Sequence, residues 1–223
     1  MSLILHIDTA VQTASICLAK NKEVLAEQVN PSQKDHAAWL HVAIAEMFAT
    51  QPYALNDLDA VAVSAGPGSY TGLRVGMSSA KGLCYALGIP LITVNSLEMM
   101  CMAAPQKEGW LYCPMIDARR MEVFTAIYDK ELQPVMPPKN LVLDQDSFKD
   151  VLASRPIAFF GNGSEKFRTI LNNEHAEFVD VVTTAKHMII LADEAFQQNN
   201  VADLAYAVPY YGKEFYTPAQ HSL

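Results

Sequence analysis

The chain has 223 residues, of which 51% are hydrophobic and 18% are charged, and its formal net charge is −8. This length and composition suit a globular protein with a sizeable core, built as one large domain or two small lobes, and exclude a disordered chain. Autonomous binding of nucleic acid is disfavoured, because an acidic chain has no broad attraction for phosphate backbones.

Short apolar runs separated by turn residues predict alternating strands and helices in the first half of the chain. The predicted strands cover residues 3–8, 14–19, 23–29, 59–64 and 91–94, and the predicted helices cover 36–49, about 73–87 and about 96–103. The first three strands form an antiparallel meander that begins a larger sheet. The first helix is apolar nearly all round, so we expect it to be covered on two sides.

The second half begins again with strands, after a boundary at residues 104–109. Strands are predicted at 110–117, 121–128, 140–143 and 156–160, helices at 145–153, 164–172 and 184–198, and an extended tail at 207–211. A proline-rich stretch leads to the strand at 140–143.

Both halves open in the same way, with a strand that ends in aspartate, a polar turn and a hairpin partner. The two aspartates are Asp8 and Asp117. This weak internal symmetry indicates a duplicated α/β fold with a cleft between two lobes, the plan of the actin-like ATPases. We predict an actin-like (ASKHA, ribonuclease H-like) fold with lobes at 1–104 and 105–223, the last helix being free to pack back on the first lobe.

The strand-ending aspartates and a glycine turn mark a candidate phosphate or metal-water site in that cleft. In the actin-like plan these turns face each other and approach nucleotide phosphates. An aspartate at such a position also starts a turn by bonding its own backbone, and this structural interpretation stays open. The candidate cofactor-binding residues are Asp8, Thr9, Asp117, Arg119, Gly161 and Gly163.

The loop at 66–72 has the pattern Gly-x-Gly-x-x-x-Gly, which is neither the Rossmann fingerprint nor a P-loop. Its glycines permit positive φ angles, and it leads into a helix N-terminus, where backbone N–H groups lack partners. Two interpretations are equally open. The loop holds an anion or a backbone carbonyl, or it is a tight connection between a strand and a helix.

The helices at 36–49 and 73–87 together offer more apolar and small-residue surface than one lobe can cover. Glycine destabilises a helix by about 1 kcal/mol relative to alanine, so Gly76 and Gly82 indicate close approach of another backbone, within the lobe or from another subunit. We therefore predict a subunit interface, with a homodimer when the chain is alone. Its candidate residues are His36, Trp39, Leu40, Ala43, Ile44, Met47, Ser69, Tyr70, Thr71, Arg74, Gly76, Met77, Ala80 and Lys81.

No targeting or metal-binding pattern stands out along the chain. The four cysteines are scattered and lack metal-ligand spacing, so we expect reduced, buried thiols. The N-terminus lacks the features of a secretory signal, and no apolar run approaches the about 20 residues that cross a membrane. We therefore expect a cytoplasmic protein that does not bind a membrane.

Five stretches, at residues 4–9, 65–76, 80–83, 117–124 and 161–163, resemble the TsaB (YeaZ) family. The most specific is Gly-Pro-Gly-Ser-Tyr-Thr-Gly-Leu-Arg at 66–74, and the resemblance spans nearly the whole chain. It implies an actin-like fold and a place in the bacterial machinery that makes threonylcarbamoyladenosine at position 37 of tRNAs decoding ANN codons. It also implies partners: the catalytic subunit TsaD, bound through the first two long helices, the small ATPase TsaE, and tRNA indirectly through the complex.

The resemblance further implies that the chain is not an enzyme. TsaD carries a His-x-x-x-His metal motif, whose histidines share one helix face, and this chain has Ser96 and Met100 at those positions. Serine is a weak neutral donor and a thioether suits soft copper, so neither replaces histidine for zinc or iron. The implied role is a non-catalytic subunit that supports threonylcarbamoyl transfer by TsaD, with no metal.

Two other functions stay open. An autonomous nucleotide-dependent enzyme of the actin-like class, such as a small kinase, would use Asp8, Asp117 and the turn at 161–163. A metallopeptidase would hold zinc or iron, which the missing ligands disfavour. No cofactor is assigned, while binding of ATP or ADP in the cleft or at the partner interface is left open.

Overall fold

A computed structural model describes residues 2–11, 13–30 and 35–212 of the chain. The first half contains strands β1 (Leu3–Asp8), β2 (Ala14–Lys20), β3 (Glu23–Asn30), β4 (Ala60–Ser64) and β5 (Leu91–Val94), and helices α1 (His36–Ala49), α2 (Tyr70–Leu87) and α3 (Ser96–Ala103). The second half contains strands β6 (Leu111–Asp117), β7 (Glu122–Tyr128), β8 (Pro134–Val142), β9 (Ile157–Phe160) and β10 (Ala176–Phe178), and helices α4 (Lys149–Leu152), α5 (Ser164–Arg168) and α6 (Ile189–Gln197). None of the described helices is both long and apolar enough to cross a membrane.

The strands form two sheets with the same topology. The first sheet has the order β3-β2-β1-β4-β5, and the second has the equivalent order β8-β7-β6-β9-β10. In each sheet, an antiparallel meander is followed by two strands that run parallel to the meander's first strand. The duplication predicted from the two halves of the sequence is therefore confirmed.

Helices cover both faces of the first sheet. Strand β1 alternates as expected for a buried strand, because Leu5 and Ile7 pack with α1 and α2, whereas Ile4 packs on the opposite face. On that opposite face, Met188 and Ala192 contribute the packing partners. Helix α6 thus returns to the first sheet, although it follows the second sheet in the chain.

Helix α3 lies between the two sheets. Its residues Leu97 and Cys101 share a buried cluster with Tyr112 and Phe160 of the second sheet. The other face of the second sheet is covered by α4 and α5, which supply Leu152 and Phe167 to another cluster. The apolar contact through α3 holds the two lobes together.

Some predicted elements differ from the structure. The proline-rich stretch belongs to β8, because this strand lies at the sheet edge, where residues without an N–H are tolerated. The helices predicted at 145–153 and 164–172 shorten to α4 and α5, and α2 begins three residues earlier than predicted. The last predicted helix begins with the 3-10 turn Ala185–Met188, and β10 was not predicted.

The expectation that α1 is covered on two sides is confirmed for one side, and cover of the other side by a second subunit stays a prediction. Its inward side packs on the first sheet, but Ala38, Val42 and Ala45 are exposed on the outward side. Alanine and valine extend the apolar pattern around the helix without being large enough to require burial. Among the described residues, the outward side of α1 is therefore an exposed apolar surface beside α2.

Candidate functional site

A cavity of about 500 Å³ opens between the two lobes. The first lobe supplies the turn after β1, the start of α1 and the start of α2, and the second lobe supplies the ends of β6 and β9. The lining residues are Ala10, Val11, Asp35, His36, Ala37, Gly68, Ser69, Thr71, Gly72, Val75, Ile116, Asp117 and Asn162. Of the predicted cofactor-binding residues, this cavity contains Asp117.

Asp8 and Thr9 lie behind the wall of this cavity. Both residues are fully buried. Asp8 Oδ1 accepts hydrogen bonds from the Ser64 hydroxyl at 2.6 Å and the Ala10 N–H at 3.0 Å, and the Thr9 hydroxyl donates to the Gly72 carbonyl at 2.7 Å. Their assignment to a cofactor site is therefore corrected, because internal contacts hold both side chains away from the cavity.

Burial changes the protonation of Asp8. Loss of solvation raises the pKa of this carboxyl group from its ordinary value of 3.8 to about 6, although the hydrogen bonds from Ser64 and Ala10 oppose the shift. The second carboxyl oxygen, Oδ2, is buried without a hydrogen-bond partner among the described residues. Asp8 therefore carries a buried, incompletely solvated charge at neutral pH.

The glycine loop before α2 is packed against the turn after β1. The Ser69 N–H donates to the Ala10 carbonyl at 2.6 Å, and the Ser69 side chain caps α2 by accepting from the Gly72 N–H at 3.2 Å. A side chain at Gly68 or Gly72 would overlap backbone atoms of Ala10 or Thr9. The loop thus holds the Ala10 carbonyl and also forms a tight connection between a strand and a helix. Both roles were left open by the sequence.

Asp117 has the opposite environment. Its side chain is 46% exposed and accepts hydrogen bonds from Lys166 Nζ and from the Arg119 N–H. Partial burial alone would raise the pKa of Asp117, but the bonds and charges of Lys166 and Arg119 outweigh it and hold the pKa below its ordinary value. Arg119 itself is exposed at the tip of the β6–β7 hairpin.

Gly161 and Gly163 make close packing contacts and do not line the cavity. A side chain at Gly161 would overlap the Met100 methyl group and a backbone carbonyl of β6, and one at Gly163 would press on Val123. The neighbouring Asn162 reaches the cavity, and its Oδ1 accepts a hydrogen bond from the Asp117 N–H at 2.9 Å. The two glycines thus have a packing role, and their contact with a cofactor stays a prediction.

Ser96 and Met100 are used in structural contacts between elements. Both residues are buried, and Ser96 Oγ accepts a hydrogen bond from the Gly66 N–H at 3.2 Å. Met100 contacts Gly161 and packs in the cluster that joins the lobes. Across the described residues, no group of three or more histidine, cysteine, aspartate and glutamate side chains is placed to hold a metal ion.

Half of the predicted partner-binding residues face the first sheet. They are buried in the core of their own lobe, so the assignment of these side chains to a docking surface is corrected. Gly76, for example, lies against the Thr9 hydroxyl, which explains a glycine in this helix without a second subunit. The buried residues are Leu40, Ala43, Ile44, Met47, Gly76, Met77 and Ala80.

The other predicted partner-binding residues lie at or near the surface. Ser69, Tyr70, Thr71 and Arg74 are exposed, and His36, Trp39 and Lys81 are half-buried. A groove of about 390 Å³ runs between α1 and α2, lined by Ala37, His41, Tyr70, Thr71, Arg74, Val75, Ser78 and Ser79. These residues form the outward side of the same two helices.

Sequence reasoning missed three residues of this outward side. His41 Nε2 lies 3.2 Å from the Ser79 hydroxyl and bridges the two helices, and Val42 and Tyr85 are 56% and 83% exposed. Helical periodicity carried the signal for His41 and Val42, because each lies two residues, or about half a turn, from a buried residue of α1. Apolar content alone did not separate the two sides.

Comparison with known proteins identifies the family. The family model described as "TsaD: tRNA N6-adenosine threonylcarbamoyltransferase" matches residues 23–213. The tRNA threonylcarbamoyladenosine biosynthesis protein TsaB of Bacillus subtilis is 31% identical over 215 residues, which cover 93% of this chain and 93% of that protein. The chain belongs to the TsaB (YeaZ) family.

Solved structures agree with this TsaB membership at the level of the fold. A Pseudomonas aeruginosa protein described as similar to peptidase YeaZ superposes with a TM-score of 0.84 at 23% identity, over 96% of this chain and 100% of that one. The activator of 2-hydroxyisocaproyl-CoA dehydratase from Clostridium difficile, solved with bound ADPNP, superposes with a TM-score of 0.52 at 9% identity, over 90% and 98% of the two chains. The predicted actin-like α/β fold is confirmed.

Proposed function

We propose that the chain is a non-catalytic subunit that binds a TsaD-type transferase through the outward sides of α1 and α2. In this role it supports transfer of the threonylcarbamoyl group to N6 of adenosine 37 in tRNAs that decode ANN codons. Membership of the TsaB family supports the pathway, since relatives are named for tRNA threonylcarbamoyladenosine biosynthesis. The tRNA is reached through the complex, and TsaE is expected as a further component.

The composition of the outward helix sides is the observation that carries this proposal. Their exposed residues are Ala37, Ala38, His41, Val42, Ala45, Glu46 and Ala49 on α1, and Tyr70, Thr71, Arg74, Ser78, Gly82, Tyr85 and Ala86 on α2. Only Glu46 and Arg74 carry formal charges, whereas charged residues usually make up about 25–35% of a protein surface. Depletion of charge with exposed tyrosine and arginine is typical of the centre of a protein interface.

The contacts of Asp8, Ser96 and Met100 within the chain support a binding role over a catalytic one. The carboxylate of Asp8 is sealed behind the cavity wall. Ser96 and Met100 contribute a hydrogen bond and an apolar contact to the packing of the lobes. A buried Asp8 and the packing roles of Ser96 and Met100 are compatible with a subunit that acts only by binding its partner.

The docking surface is tested by placing a charge on the outward side of α1. We expect Val42→Asp to weaken binding of the TsaD-type partner about tenfold or more, because a charge would be desolvated at the centre of an apolar interface. The melting temperature should stay unchanged, because Val42 is exposed. Val142→Asp is the matched control, since Val142 is 65% exposed but lies on the edge strand β8. Isothermal titration calorimetry measures both.

The supporting role is tested by reconstitution of tRNA modification. The mixture contains the TsaD-type transferase, TsaE, tRNA and a supply of threonylcarbamoyl-adenylate, with and without this chain. We expect modification only when the chain is present, and none with the chain in place of the transferase. Equal modification without the chain, or transfer by the chain alone, would contradict the proposal.

The same outward sides are expected to pair two copies of the chain when the transferase is absent. A nearly uncharged surface can face itself without repulsion between like charges, although each chain carries a formal net charge of −8. We expect Val42→Asp to shift the sedimentation of the isolated chain from dimer to monomer. A dimer that survives this substitution would place the self-association elsewhere.

A further inference from the structure

We propose that the segment at residues 202–212, the C-terminal strap, forms a third element of the docking surface for the same transferase partner. This inference rests on the proposed function, because it names a further part of the surface that the partner covers. The strap follows α6 and runs beside α2 in the opposite direction. Its exposed side adds an aromatic and aliphatic strip to the outward side of that helix.

Hydrogen bonds at three points fix the position of the strap. At its start, the Ala202 N–H donates to the Leu91 carbonyl at 2.8 Å, which extends the edge of the first sheet. In its middle, Lys81 Nζ of α2 donates to the Ala207 carbonyl at 2.9 Å and to a second strap carbonyl at 3.3 Å. Near its end, the Tyr210 N–H donates to the carbonyl of residue 65 at 2.7 Å.

Packing at the end of the strap is close. The Tyr210 carbonyl lies against Gly66, where any side chain would overlap it. The Tyr211 ring lies 5.0 Å from the Tyr70 ring at the start of α2. Gly212 lies against Phe124 of the second sheet. The strap is therefore an ordered part of the surface, seated on α2 along its length.

Some side chains of the strap point towards the core, and others point to solvent. Leu204 and Ala207 pack against the core of the first lobe. Tyr206, Val208 and Tyr210 point outwards and are 82%, 74% and 51% exposed. Large apolar side chains grouped on the solvent side of one segment are costly to leave uncovered, which indicates a partner surface.

Tyrosine is concentrated at this place. Among the large apolar side chains exposed in the described part of the chain, the tyrosines are Tyr70 and Tyr85 on α2 and Tyr206 and Tyr210 on the strap. Tyrosine is enriched in protein interfaces, since its ring buries a large area while its hydroxyl keeps a polar partner. The strip thus continues the surface of α2 with the same chemistry.

The charges select a protein as the occupant. Asp203 is the only charged residue of the strap, and its carboxylate accepts a hydrogen bond from the Ala205 N–H at 2.9 Å. The nearest lysine, Lys81, already donates to strap carbonyls. An uncharged aromatic strip has no attraction for a phosphate backbone, but it matches an apolar protein face. Because the strap lies against Lys81, a protein seated on the outward side of α2 meets residues 205–208.

Two charge substitutions on the strap test this inference. We expect Tyr206→Asp and Val208→Asp each to weaken binding of the purified TsaD-type transferase at least tenfold, with unchanged melting temperature. The matched control is Val182→Asp, because Val182 is 76% exposed, as Val208 is 74% exposed, but belongs to the segment that connects the second sheet to α6. Calorimetry with the full chain measures all three.

The outcomes distinguish the strap from the wider proposal. If Val42→Asp weakens binding while both strap variants bind within twofold of the natural chain, the strap is not part of the interface and the proposed function stands. If the natural chain does not bind the transferase, the proposed function itself fails. Loss of binding by both strap variants and retention by Val182→Asp is the result that supports the inference.

Discussion

The two lobes place an aspartate at the same topological position and give it opposite environments. Asp8 ends β1 and Asp117 ends β6, and each strand has an antiparallel neighbour on one side and a parallel neighbour on the other. Asp8 is fully buried, with its pKa raised to about 6. Asp117 is partly exposed and paired with Lys166, and its pKa is lowered.

The difference comes from elements that are distant in sequence. In the first lobe, the long helix α2 begins directly against the turn after β1 and seals it, and Ser64 of β4 bonds the carboxylate. In the second lobe, the short helix α5 covers less of the turn and contributes Lys166. The same pattern, a strand that ends in aspartate and a turn, therefore forms a packed cleft wall in the first lobe. In the second lobe it forms an open, charged wall.

The largest expected effect comes from breaking the packed wall. Gly72→Ala places a methyl group on the Thr9 carbonyl, so we expect the free energy of unfolding to fall by about 3 kcal/mol or more, at the upper end for overpacked sites. Urea unfolding measures this change in the free energy of unfolding. Gly82→Ala is the control, because no atom lies within 4 Å of the added group, and a gain of about 1 kcal/mol is expected in a helix. Equal effects at both glycines would contradict the close packing.

Removing the buried charge should stabilise the chain. The pKa of Asp8 is raised to about 6, so its stabilising contribution is complete below pH 3.8 and is lost as pH rises through 6. Burying the charge costs about 3 kcal/mol, as the raised pKa implies. Asp8→Asn removes this charge but leaves a buried amide N–H, which costs about 1 kcal/mol. We expect a net gain of about 2 kcal/mol at pH 8.

The pH dependence separates this cause from a change in packing. The gain of Asp8→Asn should shrink as pH falls from 8 to 4, because the natural carboxyl group is then protonated in the folded chain. Thermal unfolding at a series of pH values measures the trend. Ser64→Ala is a useful second variant, since it removes the hydroxyl that bonds the carboxylate and should destabilise the chain more at pH 8 than at pH 4. A gain that is constant with pH would contradict the raised pKa of Asp8.

Much of the fold could be predicted from local sequence. The alternation of short apolar runs and turns located β1, α1, β5 and α3 at the observed residues, because these elements have local periodicity and clear ends. The repeated start of the two halves predicted the duplicated topology. The proline-containing first part of β8 was missed because its partner, β7, supplies the register that makes such a segment an edge strand.

The candidate site was harder to predict, because burial of a side chain depends on packing between distant elements. Nothing within residues 1–30 indicates that α2 seals Asp8, and nothing near Ile44 shows which side of α1 meets the sheet. Close approach was correctly predicted at Gly76, which lies against Thr9 of the same lobe, but not at Gly82, where no atom lies within 4 Å of an added Cβ. Sequence patterns located the helices and strands of the site. Tertiary contacts decided which of their side chains are exposed for binding.

The smallest effect is expected from the open wall, and it sharpens the comparison. Asp117→Asn removes the charge that pairs with Lys166, and because the carboxylate is 46% exposed, screening by solvent limits the loss to about 0.5 kcal/mol. The pKa of Asp117 is lowered, so its contribution is present above pH 3.8 and is lost as pH falls through the lower folded value. The difference in unfolding free energy from the natural chain should therefore be visible at pH 7 and shrink as pH falls below 3.8, the reverse of the trend at Asp8. Thermal unfolding in low and high salt measures it, and a loss as large as that of Gly72→Ala, insensitive to salt, would show that the second wall is packed like the first.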